Sequence, residues 1–94
     1  MRVSHTIDVT GRRIYLTRER WKHIIEHGEM AHSLERIEQT LRAPSFIRPS
    51  DCDEQVQYYA RHFKDGPAKY LLVALKYLNG EGFIITAFYT NHVR

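Results

Sequence analysis

Residues 2–9 largely alternate between polar and apolar side chains, which is the period of a β-strand with one buried face. Gly11 interrupts this pattern, and residues 13–16, RIYL, resume a short extended run. Glycine is a strong turn signal between two such runs. The pattern therefore predicts a small N-terminal β-hairpin that turns at Gly11.

The hydrophobic period changes to that of an α-helix in residues 17–30, TRERWKHIIEHGEM. The positions that recur at helical spacing, and that we expect to be buried, are Trp21, Ile24, Ile25 and Gly28. Thr17 precedes the helix, where its hydroxyl can accept a hydrogen bond from a free first-turn N–H. Gly28 lies where a residue in the left-handed conformation usually ends a helix.

A second helix is predicted over residues 33–43, SLERIEQTLRA. Ser33 is a natural N-cap, and Pro44 ends the helix. The apolar face of this helix consists of Leu34, Ile37 and Leu41. The connection between the two predicted helices is short, so we expect the helices to be neighbours.

Four strands are predicted after the second helix, over residues 45–48, 55–63, 69–78 and 82–90. Residues 69–78, KYLLVALKYL, would also suit a helix, but Asn79 and Gly80 follow at once and form a strong hairpin signal. A run of helices followed by a run of strands is typical of the α+β class. We therefore predict a single α+β domain over residues 1–94. It has an N-terminal hairpin or extended segment, then two helices, then a four-stranded antiparallel sheet with one open face.

Composition is that of a folded domain, because 43% of the 94 residues are hydrophobic and 27% are charged. The formal net charge of +3 is unevenly distributed, with +4 over residues 1–25, −4 over residues 26–54 and +3 over residues 55–94. If the two ends of the chain meet, they form a basic surface that suits a polyanion; scattered solvated charge is the alternative.

The single cysteine, Cys52, excludes an internal disulfide framework. The sequence has no apolar run of signal-peptide type and none that approaches the length of a membrane span. We therefore expect a cytoplasmic protein that does not act at a membrane; a toxin domain exported by a dedicated machine would show the same features.

His23 and His27 are the first candidates for chemistry, because histidine exchanges protons near neutral pH. They are four residues apart on the first predicted helix, with Arg20 beside them on the flank of its apolar face. The same spacing can hold a metal ion, but the metalloprotease motif requires glutamate where this chain has Ile24. No third ligand is obvious nearby, so we expect no metal site. The alternative for each histidine is an ordinary exposed residue.

Polar and aromatic side chains on the predicted strands are the second group of candidates. Tyr58, Tyr59 and Arg61 are close together on one strand, and Thr86 interrupts the apolar run IITAF. Such residues can hold a phosphate and stack a base of single-stranded RNA. The alternatives are an edge-strand surface and, for Thr86, simple β-propensity. The chain has no glycine-rich phosphate loop, nucleophile elbow or paired-cysteine site, and we expect no cofactor.

Five runs of the sequence carry a family resemblance: RIYLTRERWKHIIEHGEM, LERIEQTLRAPSFI, QYYARHF, KYLLVALKYL and FIITAFYT. They resemble small nucleases of the Barnase–EndoU–colicin–RelE superfamily, especially its phage-associated branch, over most of the chain from Arg12 to Thr90. The resemblance implies helices followed by an antiparallel sheet, with a metal-independent endoribonuclease site on the exposed sheet face. It also implies RNA as substrate and a role either as a toxin of a toxin–antitoxin pair, with an antitoxin protein as partner, or as a phage-associated effector.

The resemblance also implies roles for individual residues. His23 and His27 correspond to helix histidines of the site, which could act as base and acid. Arg61 corresponds to a basic strand residue that could hold the phosphate, and Thr86 to a hydroxyl of the last strand. The residues expected to bind the substrate are Arg20, Tyr58, Tyr59, Lys69 and Tyr89.

Two alternatives stay open at this point. RelE-type members often use lysine, arginine and tyrosine instead of histidine, and in that case Lys69, Arg61 and Tyr89 matter more. The same fold could also be catalytically silent and serve as an RNA-binding or protein-interaction domain. The sequence does not reveal the oligomeric state.

Overall fold

Six β-strands, two α-helices and a short 3-10 helix form the described part of the chain, residues 2–92 of a computed structural model, with side chains described from residue 5 onward. The strands are β1 (Arg2–Ile7), β2 (Arg13–Thr17), β3 (Phe46–Pro49), β4 (Val56–His62), β5 (Tyr70–Leu78) and β6 (Glu81–Thr90). The helices are α1 (Arg18–Ile25), the 3-10 helix (Gly28–Met30) and α2 (Leu34–Arg42). Residues 1, 93 and 94 of the predicted domain lie outside the described part.

The six strands belong to one mixed sheet in the order β1-β2-β6-β5-β4-β3. Neighbouring strands are antiparallel except β2 and β6, which are parallel. The predicted α+β class is confirmed, but the prediction of a four-stranded antiparallel sheet is wrong. The N-terminal hairpin extends the sheet through the β2–β6 pair. This pairing joins residues from opposite ends of the chain, and it leaves no local pattern in the sequence.

The lack of a side chain at Gly82 allows β2 to approach β6. Ile14 and Tyr15 pair with Gly82 and Phe83, respectively. A Cβ atom at position 82 would overlap with Cδ1 of Ile14 and would crowd the ring of Tyr77. Ile14 is 1% exposed, so the pairing also buries the apolar side of β2. Close approach of another strand is a recurrent reason for glycine within a sheet.

The helix α1 is shorter than predicted. Thr17 caps its N-terminus as expected, because the Thr17 hydroxyl accepts a hydrogen bond of 3.3 Å from the N–H of Arg20. The helix ends at Ile25, and Glu26 caps it in the right-handed conformation. Gly28 is exposed, starts the 3-10 helix and has no positive φ. The prediction that Gly28 is buried and ends α1 in the left-handed conformation is therefore wrong.

The helix α2 lies where the sequence predicts it, and Ile37 and Leu41 of its apolar face are fully buried. Ser33 precedes the helix, but its hydroxyl does not cap a backbone N–H. That hydroxyl donates to the carbonyl of Glu29 at 3.4 Å and lies 2.9 Å from the hydroxyl of Tyr89. Ser33 therefore links the turn before α2 to β6.

The β5–β6 hairpin is confirmed, including the strand assignment of KYLLVALKYL. Asn79 and Gly80 have φ values of 54° and 81°, which the tight turn between right-twisted strands requires. Leu71, Val73 and Leu75 alternate along β5 and are completely buried. Leu72 and Ala74, which alternate with them on the opposite face, are 7% and 4% exposed, and this burial of successive residues explains why the apolar run LLVAL shows no alternation.

Both α-helices pack on the same face of the sheet, which we call the covered face. The core between helices and sheet consists of Ile14, Leu16, Ile24, Met30, Ile37, Leu41, Tyr59, Leu71, Val73, Leu75, Ile84 and Ala87. Residues that alternate with these core residues along the strands point to the opposite face, which we call the open face. Neither α-helix of the described residues has the length and apolar character needed to cross a lipid bilayer.

Candidate functional site

The strand register arranges the open face in rows that cross the sheet. One row consists of Thr86 on β6, Ala74 on β5, Tyr58 on β4 and Arg48 on β3. The next row consists, in the same strand order, of Phe88, Leu72, Ala60 and Phe46. Paired residues point to the same face of a sheet, so their side chains are neighbours. In both rows the aliphatic side chains in the middle lie between larger groups.

A hollow of about 490 Å³, which we call the open-face groove, lies over the β4, β5 and β6 members of the first row and the β5 and β6 members of the second. It is lined by Ser50, Val56, Tyr58, Leu72, Ala74, Ile85, Thr86, Phe88 and His92. Ala74 and Leu72 form a buried floor, with 4% and 7% exposure, whereas Phe88 is 38% exposed. An exposed aromatic ring beside an aliphatic floor suits a flat, largely apolar group such as a nucleobase.

A β-bulge in β6 turns Thr86 toward this groove. Ala74 pairs with Thr86, and the next residue of β5, Leu75, pairs with Ile84, so Ile85 is an extra residue in β6. Without the bulge, Ile84 and Thr86 would share a face of the sheet. Instead, Ile84 is buried in the core and Thr86 lines the groove. The bulge explains why a threonine interrupts the apolar run IITAF.

Tyr58 also borders a second hollow of about 500 Å³, which lies beside the open-face groove. This hollow is lined by Arg48, Pro49, Ser50, Asp51, Cys52 and Tyr58. The exposed guanidinium of Arg48 lies 5.3 Å from the ring centroid of Phe46. Within the described residues Arg48 forms no ion pair. A planar cation beside Tyr58 can bind a phosphate while the tyrosine ring stacks on a base.

Lys76 is a second cation close to the groove, since it pairs with Val56 of the groove lining. Its ammonium lies 3.4 Å from the carboxylate of Asp53. The hydrogen bond from the N–H of Gln55, followed by the interaction with Lys76, lowers the pKa of Asp53 from its ordinary value. Lys76 is therefore engaged by a carboxylate, in contrast to Arg48.

His92 and Phe88 are groove residues that sequence reasoning missed. Phe88 could have been found from the two-residue period of β6, because Thr86 and Phe88 share a face. His92 follows the last strand, where no periodic pattern indicates the direction of a side chain. Its backbone is held by Thr90, whose hydroxyl accepts from the His92 N–H at 3.2 Å and donates to the His92 carbonyl at 3.0 Å.

The predicted catalytic histidines lie away from the open-face groove. His23 is on the outer side of α1, whose inner side packs Trp21 against the core of the covered face. Its Nδ1 atom lies 3.9 Å from the carboxylate of Glu26, and both side chains are at least 70% exposed. His27 and Arg20 are also exposed. The helix α1 thus presents His23 and Arg20 to solvent on the side of the sheet opposite to the groove, and His27 is exposed in the segment between α1 and the 3-10 helix.

Arg61 lies on the covered face, because it pairs with the core residue Leu71. Its Nη1 donates a hydrogen bond of 2.6 Å to the carbonyl of Ala43, the C-cap of α2. A cation at this end of a helix interacts favourably with the helix dipole. The guanidinium also lies 5.6 Å from the ring centroid of Phe63. These contacts connect Arg61 to α2 and not to the open-face groove.

The remaining predicted residues have three different environments. Tyr59 is 1% exposed, and its hydroxyl donates to the carboxylate of Asp8 at 3.0 Å. Tyr89 packs against the core, and its hydroxyl contacts that of Ser33. Lys69 is exposed just before β5 and borders a separate groove. The hydroxyls of Tyr59 and Tyr89 thus have partners within the fold, and the buried Tyr59 is not accessible to a ligand.

Among the side chains predicted to form the site, the structure brings together Tyr58 and Thr86. His92 and Phe88 complete the open-face groove with an imidazole and an exposed aromatic ring. No group of three or more His, Cys, Asp or Glu side chains that could hold a metal ion occurs in the described residues. The groove therefore combines an imidazole, a phenol, an aliphatic hydroxyl and a stacking surface.

Comparison with known proteins adds no family to this description. The chain matches no protein-family model, no curated protein and no solved structure. The resemblance to the Barnase–EndoU–colicin–RelE superfamily therefore stays a prediction from the sequence runs that carry it.

Proposed function

We propose that this protein binds single-stranded RNA in the open-face groove and cleaves it as a metal-independent endoribonuclease. The observation that carries the proposal is the presence of Tyr58, Thr86, Phe88 and His92 around one groove on an open sheet face. Sheets that present aromatic rings on an open face are a common platform for single-stranded RNA. The resemblance of the sequence to small nucleases points in the same direction.

The binding part of the proposal uses stacking and charge. The ring of Phe88, 38% exposed above the floor formed by Leu72, offers a surface for one base. Stacking of a base on an aromatic side chain contributes about 1–3 kcal/mol to binding. Arg48 lies beside Tyr58 and supplies the planar cation for a phosphate of the same strand.

The cleavage part of the proposal uses the protic groups of the groove. His92 accepts the proton of an RNA 2′-OH, whose oxygen forms a bond to the adjacent phosphorus. The P–O5′ bond breaks, and the phenol of Tyr58 donates a proton to the leaving 5′-oxygen. Thr86 donates a hydrogen bond to a phosphate oxygen on which charge develops. The products are a 2′,3′-cyclic phosphate and a 5′-hydroxyl, and each proton-transfer group contributes typically ~10²–10⁴-fold to the rate.

The biological setting belongs to the same proposal. An endoribonuclease without a cofactor would act in the cytoplasm, where its RNA substrates are. A toxin of this type requires an antitoxin protein that blocks the groove in the producing cell. An acidic antitoxin would suit the cations beside the groove, in particular Arg48.

The test compares two phenylalanines of the same strand. Phe88 lines the open-face groove, whereas Phe83, 36% exposed, is on β6 outside it and contacts Tyr15. We expect Phe88→Ala to weaken binding of a fluorescent single-stranded RNA by roughly 5- to 150-fold, the equivalent of one stacked base. The matched variant Phe83→Ala should bind RNA within about threefold of the wild type. Fluorescence anisotropy measures both affinities.

Incubation of the wild type with single-stranded RNA in excess EDTA tests cleavage in the same preparation. Fragments that end in 2′,3′-cyclic phosphate are the expected product. Binding without fragments would contradict the endoribonuclease and leave an RNA-binding domain. Absence of RNA binding, or equal losses in the two phenylalanine variants, would contradict the open-face groove as the RNA site and favour a protein-interaction domain.

A further inference from the structure

A third cavity, a groove of about 430 Å³, opens at the end of the sheet where β4 is connected to β5. It is lined by His62, Phe63, Lys64, Gly66, Ala68, Lys69 and Asn91, and we call it the lysine groove. Two hydrogen bonds fix the backbone around the lysine groove. The N–H of Phe63 donates to the carbonyl of Lys69 at 3.0 Å, and the N–H of Lys69 donates to Oδ1 of Asn91 at 3.0 Å. The lysines are thus carried by a closed loop that is tied to the end of β6.

The lysine groove is a cluster of hydrogen-bond donors without a matching acid. None of the described residues that line it carries a carboxylate. Lys64 and Lys69 form no ion pair within the described residues. The nearby carboxylate of Asp65 is already paired with Arg36 at 3.0 Å. Because Oδ1 of Asn91 accepts a backbone hydrogen bond, the amide group of Asn91 has its two N–H donors available on the other side.

The lysine groove is adjacent to the open-face groove. Asn91 lines the lysine groove, and the next residue, His92, lines the open-face groove. His62 belongs to the lysine groove and is on the open face, because it pairs with Tyr70 and lies edge-on to its ring at 5.6 Å between centroids. We therefore expect an extended strand that leaves the open-face groove past His92 to reach the lysine groove.

We propose that the lysine groove is a phosphate subsite, in which Lys64, Lys69 and the amide of Asn91 bind a phosphate of the RNA strand that lies in the open-face groove. This inference rests on the proposed function for the identity of the ligand. The existence of the subsite is inferred separately, from two lysines that form no ion pair within the described residues and from the hydrogen-bonded loop that carries them. Two ammonium groups bind a phosphodiester through charge and do not require a particular base.

The test neutralises the two lysines together and compares the result with two cations elsewhere. Lys64→Gln/Lys69→Gln is expected to lower affinity for single-stranded RNA roughly 5-fold at 0.1 M salt. The slope of log affinity against log salt should become shallower by about 0.7, the contribution of one phosphate contact on a single strand. Arg18→Gln/Lys22→Gln removes the same charge from the exposed side of α1 and should change neither quantity to that extent.

A titration of the wild type with inorganic phosphate, followed by two-dimensional NMR, separates the subsite from the proposed function. Shifts confined to resonances of Lys69, Asn91 and their neighbours are expected. If these shifts occur but the wild type binds no RNA, the phosphate subsite stands and the proposed function is wrong. If the wild type binds RNA and both double variants lose the same affinity and slope, the subsite is wrong and the proposed function stands. Absence of both phosphate shifts and RNA binding would overturn the two together.

Discussion

The carboxylate of Asp8 accepts a hydrogen bond of 2.6 Å from the phenol of Tyr77, which lies on a strand at the other end of the sequence. Asp8 is 4% exposed and lies in the turn between β1 and β2. Its second oxygen accepts from the N–H and hydroxyl of Thr10 and from the N–H of Arg12, at distances of 2.6–3.0 Å. One carboxylate therefore both shapes the turn of the N-terminal hairpin and fixes this hairpin to the main sheet.

Replacement of Asp8 by asparagine should destabilise the protein by roughly 2–3 kcal/mol. Hydrogen bonds to a charged group contribute more than neutral ones, and the amide of asparagine cannot accept all the donors that surround this site. Urea denaturation of wild type and Asp8→Asn gives the free energies of unfolding. Asp51→Asn, at an exposed aspartate between β3 and β4, is the control and should change this free energy by less than about 0.5 kcal/mol. Equal losses in both variants would contradict a special role of Asp8.

The same network predicts an acid-sensitive fold. Burial by itself raises the pKa of Asp8, but hydrogen bonds from Thr10, Tyr77, Arg12 and Tyr59 outweigh burial and hold the pKa below its ordinary value of 3.8. A carboxyl group whose pKa is lower in the folded than in the unfolded state stabilises the fold above the unfolded pKa. This contribution is lost as the pH falls below about 3.8 through the folded pKa.

The measurement is the free energy of unfolding of wild type and Asp8→Asn between pH 6 and pH 2. The difference between the two proteins should be constant above about pH 5 and should shrink toward lower pH, because the wild type alone loses the ionised Asp8. A difference that is independent of pH would show that Asp8 does not contribute through its charge.

The contact between Ile14 and Gly82 predicts a specific steric coupling. Gly82→Ala should destabilise the protein by about 1–3 kcal/mol, because the new methyl group would overlap with Cδ1 of Ile14. Ile14→Val removes this Cδ1 atom and should cost about 0.5–1.5 kcal/mol by itself. In the double variant the overlap is relieved, so the combined loss should be smaller than the sum by at least 0.5 kcal/mol. Additive losses in urea denaturation would show that the β2–β6 approach does not depend on Gly82.

Local signals made much of the fold predictable from the sequence. Three features depend only on residues that are close together in the sequence: the Thr17 helix cap, the Asn79-Gly80 turn and the apolar face of α2. The alternation of polar and apolar residues likewise identified β1. Pairing between β2 and β6 depends on the fit of Ile14 against a glycine that is remote in sequence, and no local pattern encodes such a fit.

The candidate site was less predictable for related reasons. Tyr58 and Tyr59 are adjacent and look equivalent in the sequence, yet alternation along β4 sends one to the groove and the other to the core. The bulge at Ile85 places Thr86 on the opposite face of the sheet from Ile84. Such a bulge depends on tertiary packing, which the local sequence does not show. His92 follows the last strand, so no hydrophobic period predicts the direction of its side chain. Grouping His23 with the sheet residues assumed that the helix flank borders the open face, whereas α1 packs on the covered face.

Variants of the groove separate binding from cleavage. Under the proposed mechanism, His92→Gln removes the proton acceptor and Tyr58→Phe removes the proton donor but keeps the aromatic ring. Each variant should cleave single-stranded RNA about 10²- to 10⁴-fold more slowly than the wild type, with an RNA affinity within a few-fold of it. Single-turnover cleavage in EDTA measures the rate, and anisotropy with an RNA that carries 2′-O-methyl groups measures the affinity.

The matched control for these variants is His23→Gln, on the solvent side of α1. The sequence predicts that His23 is catalytic, whereas its position predicts a cleavage rate close to that of the wild type. A large loss in His23→Gln with normal rates in His92→Gln and Tyr58→Phe would move the reaction to the helix and contradict the groove mechanism. Loss in His92→Gln alone would retain the imidazole as base and assign the proton donor to a group other than Tyr58, such as a water molecule.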